Sequence, residues 1–319
     1  MMTIARLSLR IQRFELVSVV IMVALLTAAA LVVREHLAAL NVLTTCFADL
    51  LNNGPLSRSD CVALAASFFA IDSREATPIM QAMAIAPLVA GILLGVGLVS
   101  REIETGTAGL AWALAGSRAR WLAGRLLPMA MALAAILVAL AIASDLLLGA
   151  RQPWVTPGQS LVDLDAHGGV LVLRGFVSFL LAVLVGTIIG RTLPSVIVAT
   201  VVVAAVGLTG VTLTSLWLKA NVTYSTEQVD IISVPGGFSF GSMSRAKDGV
   251  VISDELAMSL APPGVDPTTW VTEHYDNVFA VVPGTMYPRY VLLETGAIGV
   301  VLAILAIGLV VAVERRRPS

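Results

Sequence analysis

Two runs of the chain, Ala84–Ser100 and Leu126–Ser144, carry no charged residue. Each approaches the roughly 20 apolar residues that a helix needs to cross the hydrocarbon core of a bilayer. Four more runs of similar character occur along the sequence. Backbone polar groups have no water to bind in hydrocarbon, so each such run has to satisfy its own hydrogen bonds as a helix. The composition agrees: 57% hydrophobic and 13% charged residues, against about 25% charged in soluble domains, with a mean hydropathy of +0.91. A soluble globular protein is excluded. The net charge of −1 says nothing about nucleic acid; what matters in such a chain is the side of the membrane on which each charge falls.

The expected fold is an all-α membrane protein with six transmembrane helices. The spans are read as 14–33, 79–99, 122–148, 170–190, 193–218 and 290–313. Between them lie an outer loop 34–78, a charged island 100–121, an outer loop 149–169 and an outer lobe 219–289, with a tail 314–319. The tight Arg191-Thr192 link makes spans four and five an antiparallel pair. The lobe is rich in Gly and Pro, and its runs Val229–Val234 and Val250–Ser253 predict a small irregular body with a few strands.

In residues 1–13, Ile4, Leu7, Ile11 and Phe14 recur at helical spacing while Arg6, Arg10 and Arg13 fall on another face. This is either a basic amphipathic helix in the headgroup layer or a simple topogenic flank. Ala28-Ala29-Ala30 could serve a signal peptidase, but the apolar run is longer than a signal sequence needs, which favours a retained anchor. Gly91 and Gly95 form a small-residue face in span two that suits either a subunit interface or close packing within one chain. Cys46 and Cys61 bracket the Gly54-Pro55 turn of the first outer loop; they are either a disulfide or two unrelated thiols.

Six spans put both termini on one side. Eleven of the 20 basic residues then share that side: Arg6, Arg10, Arg13, Arg101, Arg118, Arg120, Arg125, Arg191, Arg315, Arg316 and Arg317. The other nine are spread over far longer loops. The positive-inside rule therefore predicts cytoplasmic termini and a cytoplasmic charged island. Eighteen arginines against two lysines, with the richness in Ala, Val and Gly, suggest a high-GC bacterial genome; the expected location is a bacterial plasma membrane.

The cytoplasmic face is too small for an enzyme. The sequence has no Gly-x-x-x-x-Gly-Lys-Ser/Thr loop, no His-Glu-x-x-His, no Gly-x-Ser-x-Gly and no Cys-x-x-Cys. No metal site is expected from three scattered histidines. Asp145, Arg174 and Glu294 stand near span ends rather than at mid-depth, which argues against a proton-coupled carrier. Arg174 either pairs with Asp145 or Glu294 or is simply solvated. Asp163, Asp165 and His167 are the one compact acid/base cluster, more plausibly solvated loop residues than an outer-face catalytic site.

The island reads Arg101-Glu102-Ile103-Glu104-Thr105-Gly106-Thr107, then an apolar helical run Ala108–Ala115 containing Trp112, then Ser117-Arg118-Ala119-Arg120-Trp121. A short helix hung beneath two spans is either what a partner's groove grips or an ordinary topogenic loop. The stretch resembles the loop after the second span of ABC-2 type transporter permeases, which often carry a Glu-x-Glu-x-Gly-Thr core followed by an Arg-x-Arg-Trp element. Its Leu-Ala-Trp and Arg-Trp-Leu pieces look like the actinobacterial branch. Tyr287-Pro288-Arg289-Tyr290 with Glu294-Thr295-Gly296 is similar to that branch's opening of the last span.

The resemblance implies the transmembrane subunit of an ATP-driven exporter. It implies pairing with a second, identical or related permease and with two separate ATP-binding subunits that hold the ATP and Mg; this chain needs no cofactor of its own and is not an enzyme. It implies that 101–117 is a coupling helix in a cleft of the ATPase, with Arg101, Glu102, Glu104, Gly106, Thr107, Arg118 and Arg120 as coupling residues. Residues 1–13, with Arg6, Arg10 and Arg13, become an elbow helix. The 219–289 lobe is longer than many relatives show. A competing expectation is therefore a mechanotransmitting protein, in which an ATPase moves the lobe without passing substrate.

Overall fold

The computed structural model describes residues 12–42, 59–153, 155, 159–166, 168–225 and 236–316. Among them are six helices long and apolar enough to cross a membrane. In chain order the helices are α1 (Arg13–Ala39), α2 (Ser59–Ile71), α3 (Thr77–Glu104), α4 (Ala108–Ala115), α5 (Arg118–Arg151), α6 (Gly168–Ile189) and α7 (Thr192–Ala220). After the lobe comes α10 (Tyr287–Arg315). Two ends can be distinguished: the termini end, where α4 lies, and the lobe end.

α3 and α6 form the centre. Gly91 and Gly95 are what bring them together. A Cβ on Gly91 would stand 2.6 Å from the Phe179 backbone nitrogen, and one on Gly95 would stand 2.6 Å from the Phe179 carbonyl oxygen. Gly186 returns the favour from α6, its missing Cβ lying 2.8 Å from the Val96 carbonyl oxygen. The Ser178 hydroxyl donates across the seam to the Leu88 carbonyl at 2.7 Å. The small-residue face of α3 is thus used within the chain. Around this seam Met80, Leu94, Leu133, Leu137 and Phe179 are fully buried.

α7 and α10 are peripheral, with apolar side chains such as Leu208 and Ile304 turned outward. The hydroxyls of α7 do not make that face polar. Thr200, Thr209, Thr212 and Ser215 each donate to the carbonyl four residues back, at 2.8–3.0 Å.

The expected outer loop 34–78 is corrected over its second half. α2 runs from Ser59, passes through one π-helical turn (Asp72–Ala76) and continues as α3. Val62–Ile71 is apolar enough to be helical, and Asp72 and Glu75 find partners on other elements, so the polar cluster does not end the helix. Pro78, in the first turn of α3, has no N–H to give to the preceding turn, where the wider π winding falls. The third span also starts earlier than expected. Arg118–Trp121 already belongs to α5, whose N-cap Ser117 accepts from the Arg120 N–H at 3.2 Å.

The lobe is more regular than expected: a four-stranded antiparallel sheet of order β1-β4-β2-β3. The strands are β1 (Thr223–Ser225), β2 (Phe238–Ala246), β3 (Val251–Ser253) and β4 (Tyr275–Val282). Two short helices, α8 (Asp254–Ser259) and α9 (Pro267–His274), join β3 to β4. The predicted strand at Val250–Ser253 corresponds to β3; the run Val229–Val234 lies outside the described residues. Asp266 caps α9, and the Thr269 hydroxyl and N–H it binds hold its carboxyl below the usual carboxylate range. Leu161, Leu164, Leu218, Val282 and Tyr290 pack the sheet onto the bundle. β4 passes through a single turn (Gly284–Met286) into α10.

Candidate functional site

The charged island is mostly helix ends. Arg101–Glu104 closes α3, a turn at Thr105-Gly106 reverses the chain with Gly106 at φ 73°, and α4 follows. A second left-handed glycine, Gly116 at φ 74°, ends α4 and returns the chain to α5. Both positions need glycine's freedom at positive φ.

The charges here are spent inside the protein. Arg101 pairs with Glu15 of α1. Glu102 pairs with Arg125 of α5, both side chains little exposed at 15% and 11%. Glu104 accepts from the Thr192 N–H at 2.9 Å and from its hydroxyl at 2.7 Å, and so caps α7. Arg118 points to the end of α10, where its Nη1 donates to the carbonyls of Val313, Glu314 and Arg316. Arg316 in turn donates to the carbonyls of Thr187 and Ile188 at the end of α6. Carboxylate at a helix start and guanidinium at helix ends are the pairings that the helix dipole favours.

What remains open to a partner is different. Thr105, Gly106, Thr107, Leu110, Ala113 and Arg120 are exposed, Leu110 at 67%. On the opposite side of α4, Ala108 and Trp112 are buried. Trp112 meets Trp121 edge-on, with ring centres 6.0 Å apart. Every residue of α4 is apolar or glycine. A helix apolar on all sides is normally buried on all sides; among the described side chains of α4, those of Ala108 and Trp112 are covered and those of Leu110 and Ala113 are not.

Of the predicted coupling residues, then, Gly106, Thr107 and Arg120 lie on the accessible surface. Arg101, Glu102 and Arg118 are turned to neighbouring helices, and Glu104, though exposed, is engaged by Thr192. Arg13 opens α1, its guanidinium 4.8 Å from the Phe14 ring centre. Arg6 and Arg10 lie outside the described residues. Cys61 stands on α2 and is not a free thiol; Cys46 lies outside the described residues. Leu110 was missed as a site residue, although an all-apolar helix between two charged clusters was the available signal.

The lobe end carries a second set of ion pairs. Arg151 binds Asp72 at 2.5 Å, Asp163, and the Thr77 hydroxyl at 3.2 Å. Arg174 binds Glu294 of α10 at 3.0 Å through its Nε, and Asp165. Arg174 is therefore paired, with Glu294 and Asp165. Asp163 and Asp165, which looked like a possible acid/base cluster, are the partners of two different arginines; His167 lies outside the described residues.

A profile of the ABC-2 membrane transporter related family matches residues 16–215, about two thirds of the chain. The chain belongs to that family. The match begins in α1, includes α4 and ends in α7, so the lobe and α10 lie beyond it. No curated protein and no solved structure matches the chain. As an ABC-2 family member with six apolar helices it is a multi-pass membrane protein, a permease component of an ABC transporter.

Proposed function

We propose that this ABC-2 permease is the membrane half of an ATP-driven exporter in a bacterial plasma membrane. Two separate ATP-binding subunits dock at the termini end, on the uncovered face of α4, and bind the ATP and Mg. The chain itself carries out no chemistry and needs no cofactor. The basic residues gathered at the termini end, Arg101, Arg118, Arg120, Arg125, Arg191, Arg315 and Arg316, support a cytoplasmic position for that end. The side chains packed tightly along the α3–α6 seam support a path between two permease copies, identical or related, rather than through that seam.

The observation that carries the reading is α4 itself. It presents an apolar, unpartnered face between the ends of two spans, and the ion pair between Glu102 and Arg125 fixes those ends to each other at its base. A push on α4 is therefore expected to displace α3 and α5 together. α3 packs along α6, the other central helix, so the displacement reaches the core.

The test uses the ATP-binding subunit expected to be encoded beside this chain and the full permease in nanodiscs. The natural chain is expected to co-purify with that subunit and to change its ATPase rate. Leu110→Glu places a charge in the docking face and is expected to weaken binding by about tenfold or more, the cost of burying an unpaired charge. Equal binding by the natural chain and Leu110→Glu would remove α4 as the docking face.

A further inference from the structure

Arg118 belongs by sequence to the charged island, and the resemblance makes it a contact for the ATPase. Its geometry gives it other work. Nη1 lies 3.2 Å from the Val313 carbonyl oxygen, 2.6 Å from that of Glu314 and 2.7 Å from that of Arg316. The first two are among the last carbonyls of α10, which have no helical partner and form the negative end of its dipole, and the third belongs to Arg316, the residue that follows the helix. The other side of the guanidinium faces α4: its carbon stands 4.7 Å from the centre of the Trp112 ring. One side chain thus touches the short helix that hangs beneath the bundle and the end of the last span.

We propose that Arg118 is the positioning residue through which movement of α4 is passed to α10 and, through β4, to the lobe. The inference rests on the reading of α4 as the ATPase contact. α10 is a single helix of 29 residues, about 43 Å long at 1.5 Å per residue, and reaches from one end of the bundle to the other. Its far end is tied in as well. Glu294 is paired with Arg174, and Tyr290 meets Trp217 with ring centres 5.0 Å apart and shares a 2.8 Å hydrogen bond with Thr214. β4, a central strand of the sheet, enters α10 through one turn. A stiff rod held at both ends transmits displacement; a rod released at the α4 end does not. Arg316 extends the same joint to α6. The lobe and α10 lie beyond the matched family region, so this link joins the matched part of the chain to the part outside it.

Two readouts test this. In the first, the permease alone in nanodiscs carries spin labels at Ala113→Cys on α4 and Val311→Cys on α10. The distance distribution is expected to be narrow in the natural background and clearly broader with Arg118→Ala. An unchanged distribution overturns the joint. In the second, the ATP-binding subunit is added. Arg118→Ala is expected to keep binding it while its stimulated hydrolysis falls about tenfold, the scale of one charge-assisted hydrogen bond. Arg118→Lys, which keeps the charge and loses the fork, should fall in between. Full stimulation in Arg118→Ala overturns the proposal. If the natural chain binds no ATPase, the coupling reading falls, and with it the transmission role, while the label distances still decide whether Arg118 holds α4 to α10. If Arg118→Ala does not fold, Arg118→Lys and Trp112→Leu carry both readouts.

Discussion

Arg125→Ala is expected to destabilise the folded bundle by about 3–5 kcal/mol, the cost of leaving the partner of a little-exposed ion pair uncompensated. Arg125 is buried and its partner Glu102 is only 15% exposed, so water cannot replace the lost guanidinium fully. The pair joins α3 to α5 where α4 hangs from both. The same reasoning predicts a contrast. Arg125→Met combined with Glu102→Met removes both charges together and should be close to neutral for stability, because the desolvation cost disappears with the attraction. Unfolding in nanodiscs, followed by tryptophan fluorescence, separates the two cases. Trp112 and Trp121 lie beside this joint and report on it. If Arg125→Ala melts like the natural protein, the pair is not what holds α3 to α5.

Gly95→Leu is expected to be nearly as damaging for a steric reason. The added Cβ would meet the Phe179 carbonyl oxygen at 2.6 Å and the Ala182 Cβ at 2.8 Å. The first obstacle is backbone, which cannot turn aside, so α3 and α6 must separate. Overpacking of a tight core costs about 1–3 kcal/mol, with more expected where the obstacle is main chain. Gly91→Leu meets the Phe179 nitrogen and the Ser178 side chain and should behave alike. Gly210→Leu on α7, where a Cβ meets nothing within 4 Å, is the control and should leave the melting point near that of the natural chain. Size-exclusion profiles and melting points of the three variants read the difference. A Gly95→Leu protein that stays monodisperse with an unchanged melting point would show that the α3–α6 seam opens without cost.

The spans were legible because hydrocarbon thickness sets the length of each run, and that constraint is local. Ser59–Ala76 was not legible as helix. Asp72, Arg74 and Glu75 look like a loop until Arg151 and His36, far along the chain, are brought beside two of them. The lobe was half legible. Val250–Ser253 announced β3, and the apolar run Val278–Val282 was available as a signal for β4, whereas Gly241 breaks up the pattern of β2. At the candidate site the sequence located the charges and the short helix. It did not say which charges face a partner, because their own partners sit on other helices: Glu15 for Arg101, Thr192 for Glu104, the end of α10 for Arg118. Those pairings leave Leu110 and its neighbours, rather than the acidic residues, as the accessible part of the island.

The most direct test of the whole reading is a photo-crosslink. A photoreactive side chain is placed at Leu110, and in a second protein at Leu213, which is also exposed but lies on α7 between the two ends. Each permease is irradiated in nanodiscs with the neighbouring ATP-binding subunit present. Crosslinking of that subunit from position 110 and not from 213 is the predicted result. Crosslinking only to lipid from both positions would contradict it, and α4 would then be a helix lying in the membrane surface rather than one held by an ATPase.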